Sequence, residues 1–123
     1  PAAMGAQAAF RDRLVLCIAG DGSIQMNMQE MATAVISKLP VKIIILNNGF
    51  HGMVRQWQDL FYNGRYASSN LGTTPDFVKL ADAYGAVGLR VKKVGDLDAI
   101  LKEALATDKA VIVDVPTYPY ENC

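Results

Sequence analysis

The sequence has little cysteine and histidine and no charge of one sign. It holds two cysteines, one histidine and one tryptophan in 123 residues, and twelve basic side chains balance twelve acidic ones. Two cysteines make neither a disulfide framework nor a four-ligand zinc site. Cys17 lies in an apolar run and reads as a buried thiol; Cys123 is terminal. A neutral balance excludes a domain built for phosphate backbones or anionic lipid, which needs an excess of Lys and Arg, so neither nucleic acid nor membrane is an expected partner. No apolar run approaches the roughly 20 residues of a membrane-spanning helix. The opening PAAMGAQAAF has no basic start and no apolar core of a secretory signal. It also has no leading Met, and the first eleven residues read as the tail of a helix without its preceding strand. A piece of a larger protein is therefore expected. There is no internal repeat, linker or low-complexity stretch.

What is present is apolar and periodic. Half the residues are hydrophobic (51%), too many for a disordered chain and enough for one core, since a chain of this length buries roughly two-thirds of its unfolded surface. Leu14–Ala19 reads as a fully buried strand that ends at Gly20-Asp21-Gly22. Met28, Met31, Ala32, Val35, Ile36 and Leu39 form one helical stripe, with Asn27 and Glu30 as its cap and Pro40 as its stop. Val41–Leu46 is a second buried strand, broken by Asn47-Asn48-Gly49. Residues 50–73 are rich in Gly, Asn, Ser and aromatics, with at most one short helix over Met53–Leu60, and read as a lid or binding loop. Thr74-Pro75 starts a helix with Phe77, Leu80, Ala81 and Tyr84 inward and Gly85 at its end. Val87–Val91 is a weaker strand. Asp96 caps a helix carrying Leu97, Ile100, Leu101, Ala104 and Leu105, and Ala110–Val115 is the last strand. Aliphatic strands alternating with amphipathic helices predict an α/β fold: an open, mainly parallel sheet with helices on both faces, a three-layer sandwich.

In such sheets ligands bind beyond the carboxyl ends of the strands. Two strands end there in polar residues, and a right-handed crossover brings those ends to one edge, so Asp21 and Asn48 are expected in one crevice. A carboxylate and an amide oxygen suit Mg²⁺, which takes its other ligands from phosphate and water. Gly20 and Gly22 let backbone N–H groups approach an anion, and Gly22 and Ser23 precede a helix N-terminus. The reading is a metal–diphosphate site. It is not a dinucleotide fingerprint, for the third glycine is missing, and not a Walker loop, for no Gly-Lys-Ser/Thr occurs.

Gly20-Asp21-Gly22, 24 residues, then Asn47-Asn48 resembles the thiamine-diphosphate motif. The stretch Asn47-Asn48-Gly-Phe-His-Gly52-Met53-Val54-Arg55-Gln56-Trp57-Gln58 is similar to the large catalytic subunit of acetolactate synthase. GDGSIQMNMQ from Gly20 agrees, as does the run from Gln58 to Tyr66. The resemblance implies a single, incomplete thiamine-diphosphate domain over residues 1–123. Asp21, Asn48 and the Phe50 carbonyl would bind Mg²⁺, and Gly20, Asp21, Gly22 and Ser23 would hold the diphosphate. Gly52 and Met53 would lie against the cofactor, and Met53, Val54 and Trp57 would line the substrate channel. The family decarboxylates pyruvate and joins the two-carbon unit to a second 2-keto acid, giving 2-acetolactate for branched-chain amino-acid synthesis. It works as a homodimer or higher oligomer, in some cases with a small regulatory subunit, in the bacterial cytoplasm or in a eukaryotic organelle. Its activating glutamate lies on a pyrimidine-binding domain, and its FAD mostly on another domain. Neither fits in 123 residues, so this chain is expected to carry no catalytic residue and to be inactive alone. His51 and Gly49 depart from the family pattern.

Each residue also has a plainer reading. His51, the only histidine, invites a general-base role but reads sooner as a solvated loop histidine, and Met26, Met28 and Met31 read as packing. Met53 and Val54 suit a lid-helix core, and Trp57 a loop anchor. Arg55 and Arg65 suit a solvated surface as well as a substrate contact, Asp59 suits a helix surface, and Lys92 and Lys93 are two charges at a strand end, not a nucleic-acid patch. Two other functions fit the same residues: a fragment of another thiamine-diphosphate enzyme, such as glyoxylate carboligase or pyruvate oxidase, and a noncatalytic α/β binding or phosphoacceptor module built around Asp21.

Overall fold

The computed structural model describes residues 1–119; Cys123 lies outside them. Helix α1 (Ala2–Ala9) leads into strand β1 (Leu16–Gly20), the short helix α2 (Asp21–Gln25), helix α3 (Met31–Ile36) and strand β2 (Lys42–Asn47). Helices α4 (Gly52–Phe61) and α5 (Phe77–Tyr84) come next, then strand β3 (Val87–Arg90), helix α6 (Leu97–Ala106) and strand β4 (Val111–Pro116). The four strands form one sheet in the order β1-β2-β4-β3, and every ladder is parallel.

That order explains the layers. The chain moves across the sheet from β1 through β2 to β3, then steps back to β4. Parallel crossovers share one hand, so a reversal of direction puts the next helix on the other face. Accordingly Met4 of α1, Met31 and Ala34 of α3, and Phe77 and Ala81 of α5 pack on one face with Ile43, Ile45 and Ile112. On the other face Leu97, Ile100 and Ala104 of α6 pack with Val87, Leu89, Val111 and Val113. The expected α/β sandwich is present.

Several boundaries differ from expectation. Strand β1 is an edge strand rather than a fully buried one: Cys17 packs half-buried against the core, while Leu16 and Ile18 point away, Ile18 with 69% of its surface exposed. The stripe from Met28 to Leu39 is broken into a 3-10 turn over Met28–Glu30 and the short α3, and Asn27 makes no side-chain cap. Only Met31 of the three methionines is in the core; Met26 is exposed. The chain leaves α3 at Ser37 and Lys38, the latter in the left-handed region, before Pro40 is reached. Helix α5 starts at Phe77, not at Thr74-Pro75, because the Asp76 carboxylate accepts the N–H groups of Val78 and Lys79. Gly85 ends it with φ +81° as expected. Asp96 precedes α6 without a side-chain cap and faces Lys93 at 3.7 Å.

Candidate functional site

The site is assembled at the carboxyl ends of β1 and β2. The strands run in register to the pair Gly20–Leu46, so the segments leaving the two strands emerge at the same edge. After Gly20 the chain turns directly into α2, whose first residue is Asp21. The Asp21 carboxylate is 1% exposed, and its Oδ2 accepts a hydrogen bond from the Gly49 N–H at 2.9 Å. That bond joins the end of β1 to the segment leaving β2 and brings Asp21 and Asn48 into one crevice. The Asn48 Oδ1 accepts from the Phe50 N–H at 3.0 Å, a local turn of the kind Asn favours. Gly49 makes it possible with φ +74°.

Around these residues lies a cavity of about 500 Å³. Gly20, Asp21, Gly22 and Ser23 line one side, and Asn48, Phe50, Gly52, Met53 and Val54 the other. Gly22 lies under the His51 ring: an added Cβ would stand 2.7 Å from His51 Cε1, so the ring would have to shift. His51 is therefore not a solvated loop histidine. Its ring lies half-buried on the Gly22 backbone and walls the cavity. The Ser23 hydroxyl is engaged locally, accepting from the Gly20 N–H at 2.9 Å and donating to the Gly20 carbonyl at 3.0 Å.

The segment expected to be a lid is pinned beside the site. Phe50 and Asn70 form an antiparallel bridge, flanked by hydrogen bonds from His51 N–H to the Ser69 carbonyl and from Leu71 N–H to the Gly49 carbonyl. Between them α4 runs slightly longer than expected and starts at Gly52. Met53, Val54 and Trp57 are exposed on it, Met53 at 70% and Trp57 at 57%. Arg55 is not a solvated surface group: it lies over the Phe50 ring at 4.6 Å and donates to the Pro119 carbonyl. Asp59 accepts from the Tyr66 hydroxyl; that bond, above all, holds the Tyr66 hydroxyl above its ordinary pKa. Arg65, Lys92 and Lys93 are exposed.

The donor chemistry fits a hard divalent cation. Asp21 and Asn48 offer oxygen ligands, and each of the two oxygens, Asp21 Oδ2 and Asn48 Oδ1, accepts one backbone N–H and keeps lone-pair capacity. No group of three or more His, Cys, Asp or Glu side chains able to hold a metal occurs among the described residues. A cation here would thus take few protein ligands and the rest from elsewhere, as Mg²⁺ does beside a phosphate. The same finding leaves Asp21 without the acidic neighbours that a phosphoacceptor reading needs.

A second set of polar residues stands at this edge, outside the motifs of the sequence. Asp114 on β4 is 1% exposed. Its Oδ2 accepts from Arg90 Nε at 2.8 Å and its Oδ1 from Asn47 Nδ2 at 3.1 Å. Arg90 also reaches the Asp76 Oδ1 at 2.8 Å. The Asp114 hydrogen bond, more than any other factor, holds the Arg90 guanidinium above its ordinary pKa. The signal was available: a single carboxylate inside the aliphatic run Ala110–Val115 must find a partner.

Residues 1–115 match the family model of the thiamine pyrophosphate enzyme, C-terminal TPP-binding domain. The chain belongs to this family. Similar curated proteins are the acetolactate synthase isozyme 3 large subunit of Escherichia coli, 48% identical over 94% of this chain, and the acetolactate synthase large subunit of Porphyra purpurea, 45% identical over all of it. The chain spans about a fifth of these relatives, 21% of each. A solved structure of the thiamine diphosphate-dependent 4-hydroxybenzoylformate decarboxylase of Rhodococcus jostii superposes with a TM-score of 0.89 at 38% identity, over 96% of this chain and 22% of that one. The cavity between Asp21 and Asn48 is thus a feature of a TPP-binding domain.

Proposed function

We propose that this domain supplies the metal–diphosphate clamp of a thiamine-diphosphate-dependent acetolactate synthase. The observation that carries the reading is identity of 45–48% to acetolactate synthase large subunits over 94–100% of the chain. The geometry supports it, since one hydrogen bond closes Asp21 onto the segment that carries Asn48. On this reading Asp21, Asn48 and the Phe50 carbonyl hold Mg²⁺, while Gly20, Asp21, Gly22 and Ser23 receive the diphosphate through backbone N–H groups. The Ser23 hydroxyl keeps its proton on Gly20. Gly52 and Met53 border the cofactor, and Met53, Val54 and Trp57 form the channel through which 2-keto acids enter. Thiamine diphosphate, when bound, supplies a stabilised carbanion for attack on a 2-keto acid. The chain's own part is to bind and orient. Residues 1–123 form one incomplete cofactor domain, and no catalytic residue is assigned within it. Pyrimidine-binding and FAD-binding parts, a homodimeric or larger assembly and a regulatory subunit belong to the intact enzyme, in the cytoplasm of a bacterium or an organelle of a eukaryote.

Calorimetric titration of thiamine diphosphate tests the reading. Binding is expected with Mg²⁺ and not without it, and is expected to disappear in both Asp21→Ala and Asn48→Ala. Mg²⁺-independent binding, or full binding by either variant, rejects the clamp. The isolated chain is expected to form no acetolactate from pyruvate, cofactor and Mg²⁺; product in a colorimetric acetoin assay would show that this domain suffices.

A further inference from the structure

We infer that Asp114, locked by Arg90, is a positioning residue that sets Asn48 for the metal–diphosphate site. The inference rests on the proposed roles of Asp21 and Asn48 as metal ligands. Asn48 bonds locally, to the N–H of Phe50 two residues on, so the backbone on either side decides where its side chain stands. On one side the Asn47 amide donates to Asp114 Oδ1 at 3.1 Å, and the Asn47 carbonyl accepts from the Thr117 N–H at 2.8 Å. On the other side the Gly49 N–H donates to Asp21. Asn48 is thus suspended between two carboxylates, one at the end of β1 and one on β4, both almost fully buried.

Asp114 does not line the cavity. It lies on the sheet face that carries Ile112, opposite the face of Val113 and Val115. A carboxylate at that depth is tolerated only when paired and hydrogen-bonded. Arg90 Nε and Asn47 Nδ2 meet both conditions. Arg90 is itself steadied by Asp76, which caps α5. An aliphatic residue at 114 would fill a buried strand more simply. What the carboxylate adds is one fixed acceptor for the Asn47 amide, and through it a fixed exit angle for the chain at Asn48. The relay Asp76–Arg90–Asp114–Asn47 therefore acts on the metal ligand from behind, without touching the ligand.

The test uses the full chain, Mn²⁺ in place of Mg²⁺, and two readouts. The first is nuclear magnetic resonance of the ligand-free protein, tracking the Gly49 and Phe50 N–H groups and the Asn48 side-chain amide. The second is Mn²⁺ titration in the presence of thiamine diphosphate. In Asp114→Asn these resonances should shift or broaden, and Mn²⁺ affinity should fall roughly ten-fold or more, as for losses of groups that orient metal ligands. Asn47→Ser leaves the buried ion pair intact and should do the same, so it decides the matter if Asp114→Asn does not fold. Lys42→Met, at the far end of β2, should lower stability without changing Mn²⁺ affinity. Folded variants with unmoved resonances and wild-type Mn²⁺ affinity overturn the inference. If wild type binds no Mn²⁺ while the resonances still move, the positioning role stands and the metal-site reading fails.

Discussion

At the scale of single residues, the informative positions are those where a side chain contradicts its surroundings. That Asp21 and Asn48 share one crevice was legible, because each follows an aliphatic strand and a right-handed crossover brings the two strand ends to one edge; either one alone reads as readily as a turn. His51 was not, because its partner Gly22 is 29 residues away by sequence number and glycine offers no side chain to anticipate a contact. Gly22→Ala should leave stability nearly unchanged, since the ring it meets can swing away, yet it should weaken Mg²⁺–thiamine diphosphate binding. Gly22→Ala with His51→Ala should recover it; calorimetry on the double variant checks this, and no recovery would remove His51 from the wall of the site. Lys42 is a second hidden case, a buried lysine within Val41–Leu46. It donates to the carbonyls of Thr107 and Lys109 at 2.5 and 2.8 Å, and burial holds its ammonium below its ordinary pKa. Lys42→Met should cost about 1–3 kcal/mol, because two carbonyls lose a charged donor. A folded value below the unfolded one means that the unfolded chain binds more protons in between. Lys42 should therefore add a stability that rises with pH between its lowered value and the ordinary 10.5. Urea melts from neutral to alkaline pH should show this rise in wild type and lose it in the variant.

Elements were legible in type and less so at their ends. All four strands and the helices α5 and α6 fall close to where aliphatic periodicity puts them, and α4 fills the short helix allowed within the expected lid. The failures were at caps, which depend on which of several adjacent polar residues captures the free N–H groups. Asp76 won over Thr74 because it also gains Arg90. Its carboxyl is held below the ordinary 3.8, chiefly by the Lys79 N–H. The stability it contributes is present above that ordinary value and is lost as pH falls through the depressed one. In acid titration monitored by circular dichroism, Asp76→Ala should unfold at a lower temperature at neutral pH, and the difference from wild type should shrink as the solution is made strongly acidic. Packing between elements has its own glycine. A Cβ at Gly88 would stand 2.6 Å from the Val78 carbonyl oxygen and 2.8 Å from the Val78 Cα, both backbone atoms that cannot step aside. Helix α5 lies this close to β3 only because position 88 has no side chain. Gly88→Ala should lower stability by about 1–3 kcal/mol or more in urea melts; an unchanged midpoint would mean that α5 can lift off the sheet.

For the whole molecule, the parallel sheet and its two helix layers come from the alternation of strands and helices, and that was readable. Strand order was not, since periodicity says which residues are inside and nothing about who pairs with whom. This is why the aliphatic run of β1 predicts a buried strand although β1 is an edge. Helix α6 covers only the β3–β4 half of its face, and Leu14, Leu16, Ile18 and Leu46 remain exposed on the other half. Parallel sheets are ordinarily covered on both faces, so the chain should bind hydrophobic dyes and self-associate at high concentration. Leu16→Lys should reduce both with little change in melting temperature; sedimentation velocity decides it. The register between β2 and β4, Lys42 against Val111 and Asn47 against Pro116, has a consequence in time. These partners are far apart in the chain, and contacts of such long sequence separation form late and slowly because a large loop must first close. Synthesis delivers β1, α2 and β2 early, with Asp21, Asn47 and Asn48 already made. Until β4 emerges and docks, however, Asn47 has no Asp114 to bond, and a ribosome paused before residue 111 would present the ligands of the site without the brace that aims them.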